Sequence, residues 1–355
     1  MERTTGQQPT RRQEPGPGRG AGPGRGAGPG RGAGQPPSRV LTELTGDADA
    51  FAKAVAEGIP QVFRPTGRPA GLPGVEELET VLNGGLLRVP YVEMVRDGAV
   101  VEPELFCATR TVAGRRESGW ADPARISALL AEGATLLLPQ LDQWHAGVRA
   151  MATDIALHLG RRTEAFCFTT GAGRRGLDVH RDDADVLVVQ LAGAKDWTVH
   201  EPPADGHWRP GLAPAPGPVA LRTALTPGEI LYVPRGAPHT ATGHRGLSVH
   251  LSFTIREATT GRLHAALGEF LTTPGLPTGD LPERPDTSEV LATAAEVLRL
   301  GRERLAALTP EELLQLARGP LPAGAAAAPG ATSLAGAGLA GAGLLGVEWG
   351  MRDTA

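Results

Sequence analysis

Residues 177–203 read LDVHRDDADVLVVQLAGAKDWTVHEPP. The run Val186–Leu191 is apolar and rich in β-branched residues, and Lys195–His200 alternates after a tight turn at Gly193. Together they predict an antiparallel hairpin. Residues 225–255 read LTPGEILYVPRGAPHTATGHRGLSVHLSFTI. They predict a short strand over Glu229–Val233, closed by Pro234-Arg235-Gly236, and a later strand over Ser248–Ile255. In that last strand Val249, Leu251, Phe253 and Ile255 share one face, while Ser248, His250, Ser252 and Thr254 share the other. Short antiparallel strands bounded by Gly and Pro fit a jelly-roll barrel, with the polar face of Ser248–Ile255 free either to line its cavity or to meet water.

The same two segments carry the candidate chemistry. His180-Arg181-Asp182 stands just before the apolar strand, and His239 follows the Pro-Arg-Gly turn. Two imidazoles and one carboxylate hold Fe(II) while leaving coordination positions open. His-x-Asp alone is a weak signal, since a chain with nine histidines has a fair chance of one; the barrel is what would bring the three residues together. Asp183 and Asp185 flank the pair and read as solvated residues or as carboxylates that orient His180. His145 and His158 fall on an amphipathic helical pattern and read as surface or hydrogen-bonded histidines. His200, His207 and His244 read as surface or loop residues, and His250 as a cavity residue outside the ligand set.

With these residues in view, both segments resemble the cupin-4 branch of the JmjC-domain oxygenases, which includes ribosomal-protein hydroxylases. The shared elements are His180-x-Asp182, Gln190, Gly193, Lys195, Trp197, Gly228, Leu231, Pro234-Arg235-Gly236, His239 and Ser248-x-His250, and the likeness spans roughly residues 75–256. It implies an α+β fold: a double-stranded β-helix (jelly-roll, cupin/JmjC) with flanking N- and C-terminal helices. It also implies an Fe(II)- and 2-oxoglutarate-dependent dioxygenase that hydroxylates a protein or peptide side chain, with ribosomal proteins among the candidates. His180, Asp182 and His239 would be the metal ligands. Lys195 and Ser248 would hold the co-substrate, with Thr169, or its neighbour Thr170, standing in for the polar residues the family carries on the preceding strand. One departure stands out: where the family commonly carries Asn and Tyr, this chain reads Ala165-Phe-Cys-Phe-Thr-Thr170. A hydroxylase of a small metabolite or natural-product intermediate is therefore an alternative, and a non-catalytic binding or regulatory barrel a second.

Composition bounds the rest. The 355 residues carry a formal net charge of −4 with a pI near 6.2, so no generalised attraction to nucleic acid is expected. Cys107 and Cys167 are the only cysteines, and neither sits in a zinc or redox spacing. No secretory or membrane-spanning pattern is found, so a cytoplasmic protein is expected. Residues 1–39 repeat GPGRGA three times, a composition with little to bury, and are expected to be disordered. The arm's arginines suit weak RNA contact as well as simple solvation. An oxygenase domain over 40–256, a helical region over 257–320 and an Ala/Gly-rich tail over 321–355 complete the expected organisation. By the resemblance, the C-terminal helices would mediate a homodimer.

Helix signals are local. Asp122 with Pro123 opens a helix that ends before Gly133; Trp144–Leu159 shows apolar residues three and four apart; Arg262–Leu271 and Thr287–Leu308 follow the barrel. Thr309-Pro310-Glu311-Glu312 is a capping box, with Gly319 as the stop. Three G-x-G-x-x-G matches, at 171–176, 336–341 and 341–346, lack the strand-to-helix context of a dinucleotide site.

Overall fold

The strand predicted from the apolar run sits at the centre of the larger sheet, and its alternation divides the protein's interior in two. The computed structural model describes residues 38–321 apart from 172, 175, 204–205, 245 and 277. In chain order the first strands are β1 (Gln61–Phe63), β2 (Glu93–Arg96), β3 (Ala99–Val100), β4 (Cys107–Val112), β5 (Arg115–Ala121), β6 (Thr135–Leu138) and β7 (Thr163–Thr170). Then come β8 (His180–Arg181), β9 (Ala184–Ala192), β10 (Lys195–His200), β11 (Gly211–Leu212), β12 (Val219–Leu225), β13 (Ile230–Val233), β14 (His239–Gly243) and β15 (Ser248–Arg256). One sheet runs β1-β13-β9-β15-β7-β6-β2-β3 and the facing sheet runs β11-β8-β14-β10-β12, all pairs antiparallel; β4 and β5 form a separate hairpin. This is the expected α+β jelly roll with flanking helices.

Because successive strand residues point to opposite faces, Leu187, Val189 and Leu191 of β9 join Leu251, Phe253 and Ile255 of β15 in a core beneath the helices. Val186 and Val188 instead meet Leu231, Val233, Trp197 and Val199 between the two sheets. Each fully buried Leu or Phe in the first set contributes about 1.5–3 kcal/mol relative to exposure. The helices 39–45, 48–57 and 146–159 complete that layer through Leu41, Leu44, Phe51, Met151 and Ile155. Ser248 aside, the polar face of β15 looks the other way, and His250, Ser252 and Thr254 line the inter-sheet cavity.

Gly193 turns the β9–β10 hairpin with φ 62°, and an added Cβ would collide with the Leu247 carbonyl, so only glycine suits it. The first strand of the second segment begins at Ile230 rather than Glu229. The Glu229 carboxylate instead accepts from the Thr226 amide and hydroxyl in the preceding turn. The helix expected from Trp144 starts at Ala146: Trp144 closes a short helical turn (Leu141–Trp144), and extended His145 caps the longer helix, its Nδ1 accepting from the Val148 amide. A helix start leaves such amides without intrahelical partners, so a capping imidazole is favoured over a helical one.

Asp122 caps Pro123–Ala131, and the C-terminal helices run 260–272, 287–306 and 310–318, the last with both bonds of the Thr309/Glu312 capping box. The loop after β7 leads into strand β8 rather than a helix, which removes the 171–176 glycine motif as a dinucleotide site. The first helix starts at Arg39 with Ser38 as its cap, within the last two residues of the 1–39 segment. Residues 1–37 and 322–355, which hold the glycine-arginine repeats, nearly all of the Ala/Gly-rich tail and the other two glycine motifs, lie outside the described residues. No described helix is long and apolar enough to cross a membrane.

Candidate metal centre

The facing sheet brings the three candidate ligands together. In the β8–β14 pairing His239 stands directly opposite His180, and Asp182 follows immediately after β8. The ligand atoms of His180, Asp182 and His239 all lie within 4.8 Å of one another. His180 Nε2 is 3.8 Å from Asp182 Oδ1, His239 Nε2 is 3.6 Å from Asp182 Oδ2, and the two imidazole centroids are 4.3 Å apart.

Both rings are oriented from behind by the same device. His180 Nδ1 lies 2.8 Å from the Asp178 carbonyl and His239 Nδ1 lies 3.0 Å from that of Ala237. A carbonyl only accepts, so each Nδ1 carries the proton and each Nε2 presents its lone pair toward the carboxylate, the tautomer a metal requires. Burial lowers the His239 pKa, reinforced by nearby His180; this favours the neutral ligand form.

The Pro234-Arg235-Gly236 turn sets the spacing between Asp182 and His239. The Gly236 amide donates to the Asp182 carbonyl at 3.0 Å, and Arg235 Nε donates to the Asp183 carbonyl at 3.0 Å. Gly236 has φ 79°, and the Trp208 indole occupies the place its Cβ would take. The Arg235 guanidinium lies 5.0 Å from the centre of that indole, so its role here is structural.

A cavity of about 160 Å³ runs from the triad into the space between the sheets. Lys195 lines it, and the side chain is 2 % exposed. Its Nζ donates to Thr170 Oγ1 at 3.2 Å and pairs with no carboxylate among the described residues. Burial pulls its pKa down to about 8. An ammonium this deeply buried is costly without an anion beside it. Beside it, His250 stacks on Phe168 (4.9 Å, 7°) and meets Trp197 edge-on (5.6 Å, 83°). His250 Nδ1 and Trp197 Nε1 are buried without hydrogen-bond partners among the described residues. Burial, with the nearby Lys195 charge, holds His250 neutral, well below its usual pKa.

Thr169 and Ser248 fall differently from the sequence expectation. Thr169 shares its strand face with Ala165 and Cys167, which pack in the helix-side core, whereas Phe166 and Phe168 line the cavity and Thr170 reaches Lys195. Of the two adjacent threonines Thr170, not Thr169, faces Lys195, because alternation sends neighbouring residues to opposite faces. Ser248 is fully buried, but its hydroxyl accepts from Gln190 Nε2 at 2.8 Å and does not line the cavity.

Of Asp183 and Asp185, expected as solvated residues or His180 orienters, Asp183 is 35% exposed, in keeping with the first, whereas Asp185 is buried. Asp183 pairs with Arg256, and Asp185 is a buried acceptor for Arg161, Tyr232 and the Arg235 amide. A carboxylate set directly before an unbroken apolar strand was the available signal for the second. Away from the centre, His145 caps its helix and meets Glu77, His200 lies near the Gly217 carbonyl and His244 pairs with Asp196. His158 and His207 do not belong to the metal cluster.

The JmjC domain family model matches residues 143–263, the span from the helix under the sheet through β15 and into the next helix. The chain is 30% identical over 165 residues to ribosomal oxygenase 1 of Rattus norvegicus, covering 43% of this chain and 28% of the relative. It is 26% identical over 153 residues to the bifunctional lysine-specific demethylase and histidyl-hydroxylase NO66 of Drosophila simulans, covering 40% and 18%. The chain thus spans under a third of the length of these relatives. The Escherichia coli ribosomal oxygenase YcfD, solved with cobalt and 2-oxoglutarate, aligns over 77% of this chain and 70% of its own, with a TM-score of 0.49 and 18% identity.

Proposed function

We propose that this JmjC chain is an Fe(II)- and 2-oxoglutarate-dependent oxygenase that hydroxylates a protein side chain, with a ribosomal protein as substrate. The observation that carries the proposal is the pairing, in one cavity, of a His-Asp-His set whose Nε2 atoms converge on the carboxylate and a buried ammonium with no anion among the described residues. The donor set fits Fe(II), being two neutral imidazoles and one carboxylate. The solitary Lys195 fits the far carboxylate of a dicarboxylate keto acid. When bound, the metal and co-substrate supply the oxidising chemistry by which one atom of O₂ enters a C–H bond and the other enters succinate, with release of CO₂.

The chain's own residues then have separable tasks. His180, Asp182 and His239 would hold the metal, with the Asp178 and Ala237 carbonyls fixing the imidazoles. Lys195 would anchor the co-substrate, and Thr170 would orient the Lys195 ammonium. Phe168, Trp197 and Val188 exclude water from the space between, which strengthens each charged contact there. The similarity to ribosomal oxygenases supports a ribosomal substrate.

The apolar Phe166 and Phe168 wall, where the resembling family carries Asn and Tyr, favours one second reading: a small hydrophobic metabolite as substrate. One experiment separates them. Succinate formation from 2-oxoglutarate is measured with Fe(II) and O₂, with and without a ribosomal-protein extract, followed by mass spectrometry for an added oxygen atom. Stimulation by the extract with oxygen on a ribosomal peptide is the expected result. Stimulation only by a small-molecule fraction would favour the second reading, and no succinate under any condition would sink the oxygenase proposal.

A further inference from the structure

The side chain of Asp185 is nearly inaccessible, yet it makes three strong contacts. Its Oδ2 accepts from Arg161 Nη1 at 2.6 Å, and its Oδ1 accepts from the Tyr232 hydroxyl at 2.8 Å and from the Arg235 main-chain amide at 2.9 Å. The side chains of Arg161 and Asp185 are 8% and 9% exposed. A buried ion pair of this kind is weak evidence for stability, because desolvation offsets most of the attraction. Its position suggests another role.

The Arg235 amide belongs to the turn that joins β13 to the His239 strand. The same turn donates from Gly236 N to the Asp182 carbonyl and from Arg235 Nε to the Asp183 carbonyl. Three hydrogen bonds therefore tie the Pro234–Gly236 turn, ahead of His239, to the Asp182–Asp185 segment that carries the carboxylate ligand. Of the three, the Asp185 bond is the one that reaches onward into rigid structure. Through it the turn is fixed to Tyr232 on β13 and to Arg161, which precedes β7 and follows the helix ending at Leu159. Asp182 and His239 come from segments distant in the chain, and these bonds join the residues that flank them.

We propose that Asp185 is a positioning residue of the metal centre: anchored by its ion pair with Arg161, it clamps the Arg235 amide and so sets the distance between Asp182 and His239. The proposal rests on the metal-centre reading above. Residues supporting metal ligands typically change metal affinity by about 10- to 100-fold when removed, and that range is expected for Asp185. Tyr232→Phe serves as the contrast. It deletes an equally buried hydrogen bond to Asp185 but leaves the Arg161 pair and the Arg235 clamp, so Mn(II) affinity should change by less than about threefold.

The test is Mn(II) binding to the purified full chain, followed by electron paramagnetic resonance of free Mn(II), alongside thermal unfolding of the metal-free proteins. Asp185→Ala should weaken Mn(II) binding by at least about tenfold. Because Asp185→Ala leaves Arg161 charged and buried, the Asp185→Ala/Arg161→Met double variant, which removes both charges together, is measured in parallel. It should fold and show the same loss. Mn(II) affinity within about threefold of wild type in either folded variant would overturn the clamp. So would an equal loss in Tyr232→Phe, or failure of both Asp185 variants to fold, since either result assigns the network to general stability. Absence of Mn(II) binding by the unaltered protein would instead refute the metal centre itself.

Discussion

Lys195→Ala offers the sharpest test of how the cavity is used. In the protein the lysine is 2 % exposed, its hydrogen-bond partner is the Thr170 hydroxyl, and burial brings its pKa down to about 8. A hydrogen bond between charged groups contributes about 1.5–3 kcal/mol, and about 1.4 kcal/mol corresponds to a factor of ten. Removing the ammonium should therefore raise the 2-oxoglutarate KM by about ten- to a hundredfold. Mn(II) affinity in the absence of co-substrate should be unchanged, because no ligand atom is touched.

The pH dependence supplies a second signature from the same group. On the proposed anchor role, the lysine is charged below about pH 8 and available to a carboxylate; as pH rises through about 8 the free protein loses that charge, so co-substrate affinity should fall. Lys195→Ala should lack this fall. The linked effect on folding has the opposite sign: the unfolded lysine keeps its proton to a higher pH, so the burial penalty is relieved as pH rises from about 8 toward the unfolded value. Steady-state titration of 2-oxoglutarate at saturating Fe(II), from about pH 7 to above the lysine's folded pKa, measures the catalytic effects. An unchanged KM in Lys195→Ala would refute the assignment of this lysine as the anchor.

Asp182→Ala should abolish both Mn(II) binding and succinate formation while leaving the circular dichroism spectrum intact, since the carboxylate is partly exposed and belongs to neither core. Thr170→Val, nearly isosteric, removes the hydroxyl that accepts from Lys195; it should raise the 2-oxoglutarate KM several-fold, whereas Thr169→Val should leave it unchanged. Gly193→Ala should lower stability by at least about 1 kcal/mol in urea unfolding, because the position combines φ 62° with a collision against the Leu247 carbonyl.

The strands β9, β10, β13 and β15, the hairpin at Gly193 and the kinds of residue in the site were legible in the order of amino acids, whereas short strands such as β1, β8, β11 and β14 were not. The legible features follow from local rules: unbroken β-branched runs, period-two alternation, and glycine where φ is positive. In Ser248–Ile255 the alternation is strict enough that the pattern of residues alone separates core positions from cavity positions, Ser248 excepted. The chemistry of His180, Asp182, His239 and Lys195 was legible for the same reason, since ligand type and charge are properties of the residue. What required the tertiary structure was everything that depends on which strand lies beside which. The β8–β14 pairing places His239 opposite His180. The β7–β15 register turns Thr170 rather than Thr169 toward Lys195. His145 became a cap because the chain bends between two helices, and Asp185 gained its contacts from Arg161, Tyr232 and the Arg235 amide, partners remote in sequence. A sequence records what each side chain can do, but pairing and register decide what it meets, because one residue of slip exchanges the two faces of a strand.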